Sequence, residues 1–245
     1  MKYAPVNVKL QEPTEIIPEW QEESQRWKNL NEIAGGNPLF FPLTIKAVYV
    51  IGIIHDLCES VSFLLRSPNV RQTTYIPAYG VFASGIDIFG RCIRGNDSPA
   101  RGSTDDIKSG FKWLVSSAYE NVPDTQVFIR TSTNQYTIET LVLLRHFAAH
   151  GQATSKGESN FPSIDYEILA MMPPLIASGL ERYWRELQDS STLCNRLAKA
   201  NIIAFRDWPI FKSWHLFERN EFGEYESVER IFAKFDWSVI TSSVH

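Results

Sequence analysis

The segment Pro42–Leu65 constrains the fold of this chain more than any other part of the sequence. Its residues are apolar almost all round a helical wheel, so a helix here has no broad polar face to present to water. Such a helix is stable only when other helices enclose it. The most apolar stretch, 39–54, is interrupted by Pro42 and Lys46, which favours a buried helix over a membrane span. We therefore expect an all-α bundle built around this segment, with no membrane partner.

The composition fits a folded protein whose surface as a whole does not bind nucleic acid. The sequence has 245 residues, 44% of them hydrophobic, and a formal net charge of −4. A chain of this length and composition can bury a sizeable core, which excludes wholesale disorder. The mild acidity argues against a surface that binds nucleic acid all over, although a local basic patch is compatible with it. The 3 cysteines form no CxxC pair, and residues 1–25 contain no export signal, so we expect a cytoplasmic protein.

Turn signals divide the chain into further helices. The patterns predict helices over 77–94, from near Ser103, over 136–150, over 174–188 and over 191–205. Glycines at 80, 85 and 90 would allow a neighbouring helix to approach the first of these closely. Residues 125–131 alternate like a strand, but one strand cannot form a sheet, so we expect an extended loop. The predicted organisation is an acidic arm over 1–36, a helical domain over 37–190 and an aromatic-rich extension over 191–245.

The helix predicted over 136–150 carries the most informative polar residues. A capping box of Ser132 and Gln135 would start it, and Gly151 would end it. Because most of its directions are apolar, we expect it to lie at the centre of the bundle. Its polar exceptions Glu139, His146 and His150 fall within about 40° of one another on the wheel. Arg145 points elsewhere on the wheel, but its long side chain could reach the same end of the helix.

The residues from Arg145 to His150 resemble the signature of HEPN domains (higher eukaryotes and prokaryotes nucleotide-binding). In that signature an Arg is followed by a preferred polar residue, here His146, and then by a His at the end of a late helix. The resemblance covers roughly 42–188. It implies a HEPN-like helical bundle of five or six helices that works as a homodimer. It also implies metal-independent RNA cleavage without a cofactor, in a toxin or defence setting where an antitoxin could restrain it.

The resemblance assigns a catalytic role to each motif residue. His150 would be the general acid or base, Arg145 the cation that stabilises the phosphate, and His146 a supporting polar group. An imidazole with a pKa near 6.5 can accept the proton of a ribose 2′-hydroxyl and help protonate the leaving oxygen. RNA is required because DNA lacks that hydroxyl, and the product is a 2′,3′-cyclic phosphate. One helix supplies only one Arg and two His, so two protomers assemble a full set more easily than one.

Three other interpretations of the motif stay open. Arg145 could pair with a buried carboxylate (Asp56, Asp87 or Glu139) while His150 only caps its helix. His146 and His150 also have the i, i+4 spacing of zinc ligands, with a third ligand among His55, Cys58 and His215. Finally, the chain could be a HEPN-like protein without catalysis that binds a nucleotide, RNA or protein as an adaptor.

Two basic regions could contact RNA. Arg91 and Arg94 are the predicted RNA-binding residues of a patch that also includes Arg101, Lys108 and Lys112, set against Asp97, Asp105 and Asp106. The alternative for this patch is an ordinary solvated loop with helix ends. The aromatic C-terminus, 205–237, carries interleaved cations that could stack single-stranded bases. Its several glutamates favour a small satellite core or a dimer contact instead.

Overall fold

A computed structural model describes five stretches of the chain, with gaps between them: residues 42–66, 74–98, 104–116, 119–150 and 164–202. Helix accounts for 81% of these residues, which confirms the all-α class. Six α-helices follow one another in the described part: α1 (Pro42–Leu65), α2 (Tyr75–Arg94), α3 (Thr104–Val115), α4 (Ile138–His150), α5 (Tyr166–Asp189) and α6 (Ser191–Lys199). The predicted arm over 1–36 and residues 203–245, most of the predicted extension, lie outside it.

Helix α1 has the bounds that its apolar pattern predicts, but it is not enclosed on all sides, because Phe63 and Leu64 are 76% and 49% exposed. The centre of the bundle is α2. Helix α2 packs against each of the other five α-helices of the described part. Its side chains Phe82, Ile86, Phe89 and Ile93 are at most 1% exposed and recur at helical spacing on its inner face. None of these six helices combines the length and the apolar character needed to cross a membrane.

Glycines let α2 and α3 cross in direct backbone contact. A Cβ added to Gly90 would lie 1.7 Å from the carbonyl oxygen of Asp106, and one added to Gly110 would lie 2.4 Å from that of Ile86. No side chain fits at either position, so the two helices approach through these glycines. The expectation that glycines of this helix allow close packing is confirmed at Gly90, whereas Gly85 has only ordinary contacts, the nearest at 3.4 Å.

A β-hairpin precedes α4, and it corrects two sequence predictions. Strand β1 (Phe128–Arg130) pairs antiparallel with β2 (Gln135–Thr137), so 125–131 is not only an extended loop. The sequence pattern did not predict β2, because its residues also fit the start of the following helix. That helix begins at Ile138, where the Thr137 hydroxyl accepts the backbone N–H of Thr140. Ser132 is not its cap, because its N–H and hydroxyl both bind Glu167.

Helix α5 starts earlier than its prolines predict. Pro173 and Pro174 lie inside it, although a proline pair usually marks a helix start. The observed start is set by Asp165, whose side chain accepts the N–H of Ile168 at 2.9 Å. This N-cap, together with the complete burial of Ile168, Leu169 and Met172, holds the first turns in the helix although the prolines lack two backbone N–H groups.

Helix α6 belongs to the bundle and not to a separate extension. It packs against α1, α2 and α5, and its Leu193, Cys194 and Leu197 are buried. The fully buried Lys46 of α1 donates to the carbonyl oxygen of Ala198 at 3.1 Å. The bundle therefore continues past the predicted boundary at residue 190, because the apolar face of this short helix needs the same core.

The carboxylate of Asp165 ties the hairpin turn to the start of α5. Its Oδ2 accepts hydrogen bonds from Thr131, Thr133 and Asn134, and its Oδ1 accepts the Ile168 N–H. Burial alone would raise the pKa of Asp165, but these hydrogen bonds outweigh it and hold the pKa below its usual value of 3.8.

Replacing Asp165 by Ala should cost about 1 to 2 kcal/mol of stability at neutral pH. The stabilisation is complete above the unfolded-state pKa of 3.8 and disappears as the pH falls through the lower folded-state value. The wild type and the variant should thus converge in strongly acidic urea-denaturation series. Asp189→Ala is the control, because this exposed carboxylate lies at the opposite end of α5. A stability gap that persisted after protonation would contradict the assignment.

Candidate functional site

The motif helix α4 runs from the core to the surface. Its first turns bury Ile138, Leu141 and Leu144 completely. From Arg145 to Ala148 the side chains are only partly buried, and Ala149 is exposed. The prediction that this helix lies at the centre therefore holds for its N-terminal half alone. The end that carries the motif is accessible from solvent.

Two contacts fix α4 against α2. A Cβ on Gly80 would lie 2.8 Å from the Cβ of Ala148, so the helices touch at this point. One turn before Arg145, the carbonyl oxygen of Leu141 accepts a hydrogen bond from the buried Tyr79 hydroxyl at 2.7 Å. Because buried hydrogen bonds and close packing both resist displacement, the motif end of α4 has a defined position on α2.

Within the described ranges, Arg145 makes one ion pair, with Asp87 of α2. Its Nη2 donates to Oδ2 of Asp87 at 2.9 Å, and the two side chains are 19% and 12% exposed. Among the described residues, Nε and Nη1 of Arg145 have no hydrogen-bond partner, and neither is a buried orphan atom. The guanidinium is therefore tethered at one nitrogen and keeps its other donors toward solvent.

The position of Asp87 in the fold holds the pKa of its carboxyl group above the usual value. Burial raises its pKa, while the charge and the hydrogen bond of Arg145 lower it and the charge of Asp106 raises it again. Within the described part of the chain, its Oδ1 is buried and has no hydrogen-bond partner. The carboxylate thus faces the protein, and Arg145 is the group of the pair that faces outward.

Charged groups continue from Asp87 along α2 into α3. Asp106, which is wholly buried, accepts from Arg94 at 2.8 Å and from Asn96 at 2.6 Å, and lies 3.6 Å from Nε of Arg91. Arg94 also lies 3.6 Å from Asp105, so together with Arg145 and Asp87 this row, here called the charge ladder, contains three arginines and three aspartates. Its formal charges balance, and both Arg94 and Arg145 are partly exposed, at 38% and 19%.

The predicted RNA-binding residues are mostly engaged within the fold. Arg91 is buried, with 6% exposure, and donates to the carbonyl oxygens of Ser98 and Asn201 at 3.0 Å each. This placement argues against direct contact between Arg91 and RNA. The Arg94 side chain is 38% exposed and pairs with Asp106.

The lysines of the same patch are also paired. Lys108 and Lys112 both bind Asp124, at 2.7 and 2.6 Å. Their hydrogen bonds hold the pKa of Asp124 below its usual value. The patch is therefore largely neutralised where it is described, and Arg101 lies outside the described residues.

The structure describes the side chain of only one of the two motif histidines. His146 is partly buried beside Arg145. The backbone of His150 closes α4, and its side chain lies outside the described part. Zinc binding by this pair therefore stays untested, and His215 is likewise outside. Among the described side chains, the group able to share a metal ion is His55, Asp56 and Glu59 of α1, with ligand atoms within 4.8 Å of one another.

Sequence reasoning missed two polar features. The first is that same α1 group, whose i, i+1, i+4 spacing was the available signal. The second is a cleft of about 540 Å³ lined by Tyr75, Ile76, Thr133, Asn134, Ile164, Asp165 and Tyr166. No local pattern could reveal the cleft, because three separate elements meet there. Its carboxylate already accepts four hydrogen bonds, so its oxygens have little acceptor capacity left for a ligand.

Comparison of the chain with models of protein families, with curated proteins and with solved structures finds no match.

Proposed function

We propose that this chain is a metal-independent RNA endonuclease of the HEPN type, acting as a homodimer in a toxin or defence setting. The observation that carries the proposal is the presentation of Arg145. Its guanidinium is held at one nitrogen, keeps its remaining donors toward solvent, and lies on the same helix end as two histidines. A preorganised cation of this kind can stabilise charge that develops on a phosphate.

In the proposed reaction, His150 removes the proton from a ribose 2′-hydroxyl, and the oxygen attacks the adjacent phosphorus. The bond to the 5′-oxygen breaks, and that oxygen is protonated by an imidazolium, which leaves a 2′,3′-cyclic phosphate. Arg145 binds the phosphate oxygens as they gain charge, and His146 supports the site as a polar neighbour. The partner protomer supplies the second acid or base, since one motif holds a single set.

A second candidate function is a HEPN-like adaptor without catalysis. The Arg145–Asp87 pair favours it, because a partly buried carboxylate is itself a sufficient structural reason for an arginine at this position. In that case RNA, a nucleotide or a protein would bind to the same end of α4 without being changed.

Induced expression in a bacterial host separates the two functions. We expect the wild type to arrest growth and the His150→Ala protein, at equal soluble level, to permit it, because only the nuclease consumes cellular RNA. Arg130→Ala, which removes an exposed arginine of the β-hairpin outside the motif, should arrest growth like the wild type. Equal growth with all three proteins would favour the adaptor. An antitoxin, as part of the proposal, would be a co-expressed partner that restores growth.

A further inference from the structure

We propose that Asp87 is the positioning residue of this site, holding one nitrogen of Arg145 so that the others face the scissile phosphate. The inference rests on the proposed function, which it deepens by naming a residue outside the motif. Asp87 lies 58 residues before Arg145 in sequence and belongs to a different helix. It does not touch RNA in this proposal and acts only through Arg145.

The one-sided contact is the first observation behind this role. A carboxylate can bind an arginine through two parallel hydrogen bonds, which occupies two of its three nitrogens. Here only Nη2 is engaged, at 2.9 Å, and Oδ1 of Asp87 has no partner among the described residues. The contact thus orients the guanidinium but leaves its remaining fork able to bind phosphate oxygens.

The rigidity of the support is the second observation. Asp87 lies on α2, the helix that contacts all the other described helices, and its side chain is only 12% exposed. Helix α4 is held to α2 through Gly80 and Ala148 and through the hydrogen bond from Tyr79. A group on such a support loses little freedom when it binds substrate, which is the condition for effective transition-state stabilisation.

The direction of the charges is the third observation. A carboxylate that faced the substrate would repel a phosphate. Oδ1 of Asp87 is buried and Oδ2 is covered by Arg145, so the negative charge faces the protein.

Steady-state cleavage of RNA in EDTA tests the role. Asp87→Ala should lower kcat about 10²-fold with a smaller change in KM, because the guanidinium is misplaced in the transition state. Asp87→Asn keeps an acceptor oxygen beside Nη2 and should recover about 10-fold of that loss. Asp165→Asn is the matched control: it weakens another partly buried carboxylate site without touching Arg145 and should keep the kcat of the wild type. All rates are referred to the folded fraction, so a purely structural role would leave kcat unchanged.

A second measurement does not depend on catalysis. In protein with isotope-labelled arginine, the guanidinium NH₂ resonances of Arg145, assigned through Arg145→Lys, should be distinct in the wild type because Asp87 slows their rotation. In Asp87→Ala the rotation should be faster, so these NH₂ resonances should merge into an averaged signal. An unchanged Arg145 spectrum, or an unchanged kcat in an active Asp87→Ala enzyme, would overturn the positioning role. Absence of cleavage by the wild type would instead overturn the proposed nuclease, with the resonances still deciding whether Asp87 orients Arg145.

Discussion

Cleavage of a mixed RNA substrate in EDTA is expected for the wild type and should be lost when His150 or Arg145 is replaced by alanine. Removal of a general acid or base costs about 10²- to 10⁴-fold in rate. Removal of a donor that stabilises transition-state charge costs about 10²- to 10³-fold. Identification of the product ends should show a 2′,3′-cyclic phosphate from the wild type, because the proposed nucleophile is the ribose 2′-hydroxyl.

The control for lost charge is Arg130→Ala, which removes an exposed arginine of the hairpin and should cleave at the wild-type rate. A 2′-deoxy substrate should resist cleavage by every variant. Activity that appeared only after a divalent metal was added would contradict the proposed mechanism. Inactivity of the wild type together with both alanine variants would favour the adaptor.

Gly90→Ala should destabilise the protein by about 3 kcal/mol or more, which is the upper part of the range for overpacking. The new methyl group would lie 1.7 Å from the Asp106 carbonyl oxygen and 2.8 Å from the Gly110 nitrogen. Both neighbours are backbone atoms and cannot rotate away, so α2 and α3 have to separate. Denaturant unfolding measured through the tryptophan signal would report the change, since Trp113 of α3 is buried.

The matched variant is Gly85→Ala in the same helix. Its new Cβ would meet Ile54 at 3.4 Å, an ordinary contact, and alanine is favoured over glycine in a helix by about 1 kcal/mol. Gly85→Ala should therefore leave stability unchanged or raise it. Equal destabilisation by both substitutions would contradict the crossing at Gly90 as the specific cause, since Gly85 has no close backbone neighbour.

Strong periodic patterns predicted the helices correctly, whereas weak local signals, such as a capping box or a proline, gave wrong helix starts. The bounds of α1 follow from its continuous apolar character, and α2 ends at Arg94 as predicted. The errors fall where two local signals competed. Gln135 and Tyr136 fit a helix start as well as a strand, and Pro174 fits a helix start better than a helix interior. Pairing with β1 decided the first case, and the N-cap residue Asp165, directly before α5, decided the second.

The candidate site divides in a similar way. Sequence reasoning identified Arg145, His146 and His150 and named Asp87 among three possible partners of the arginine. It could not choose among those partners, because the choice depends on which helices cross. It also placed Arg91 on an RNA-binding patch, although the fold buries this residue and uses it to bind the carbonyl oxygens of Ser98 and Asn201.

The sequence by itself determined that this chain is helical, that residues 42–65 form one continuous helix, and that one polar motif lies at the end of a mostly apolar helix. These properties follow from periodicity, which is a local relation between residues and the water around them. Only the tertiary structure decided that α2 is the central helix, that Gly90 allows α3 to cross it, and that Asp87 is the carboxylate that holds Arg145. Those outcomes depend on contacts between residues far apart in sequence, whose partners are set by packing and by the need to pair buried charges.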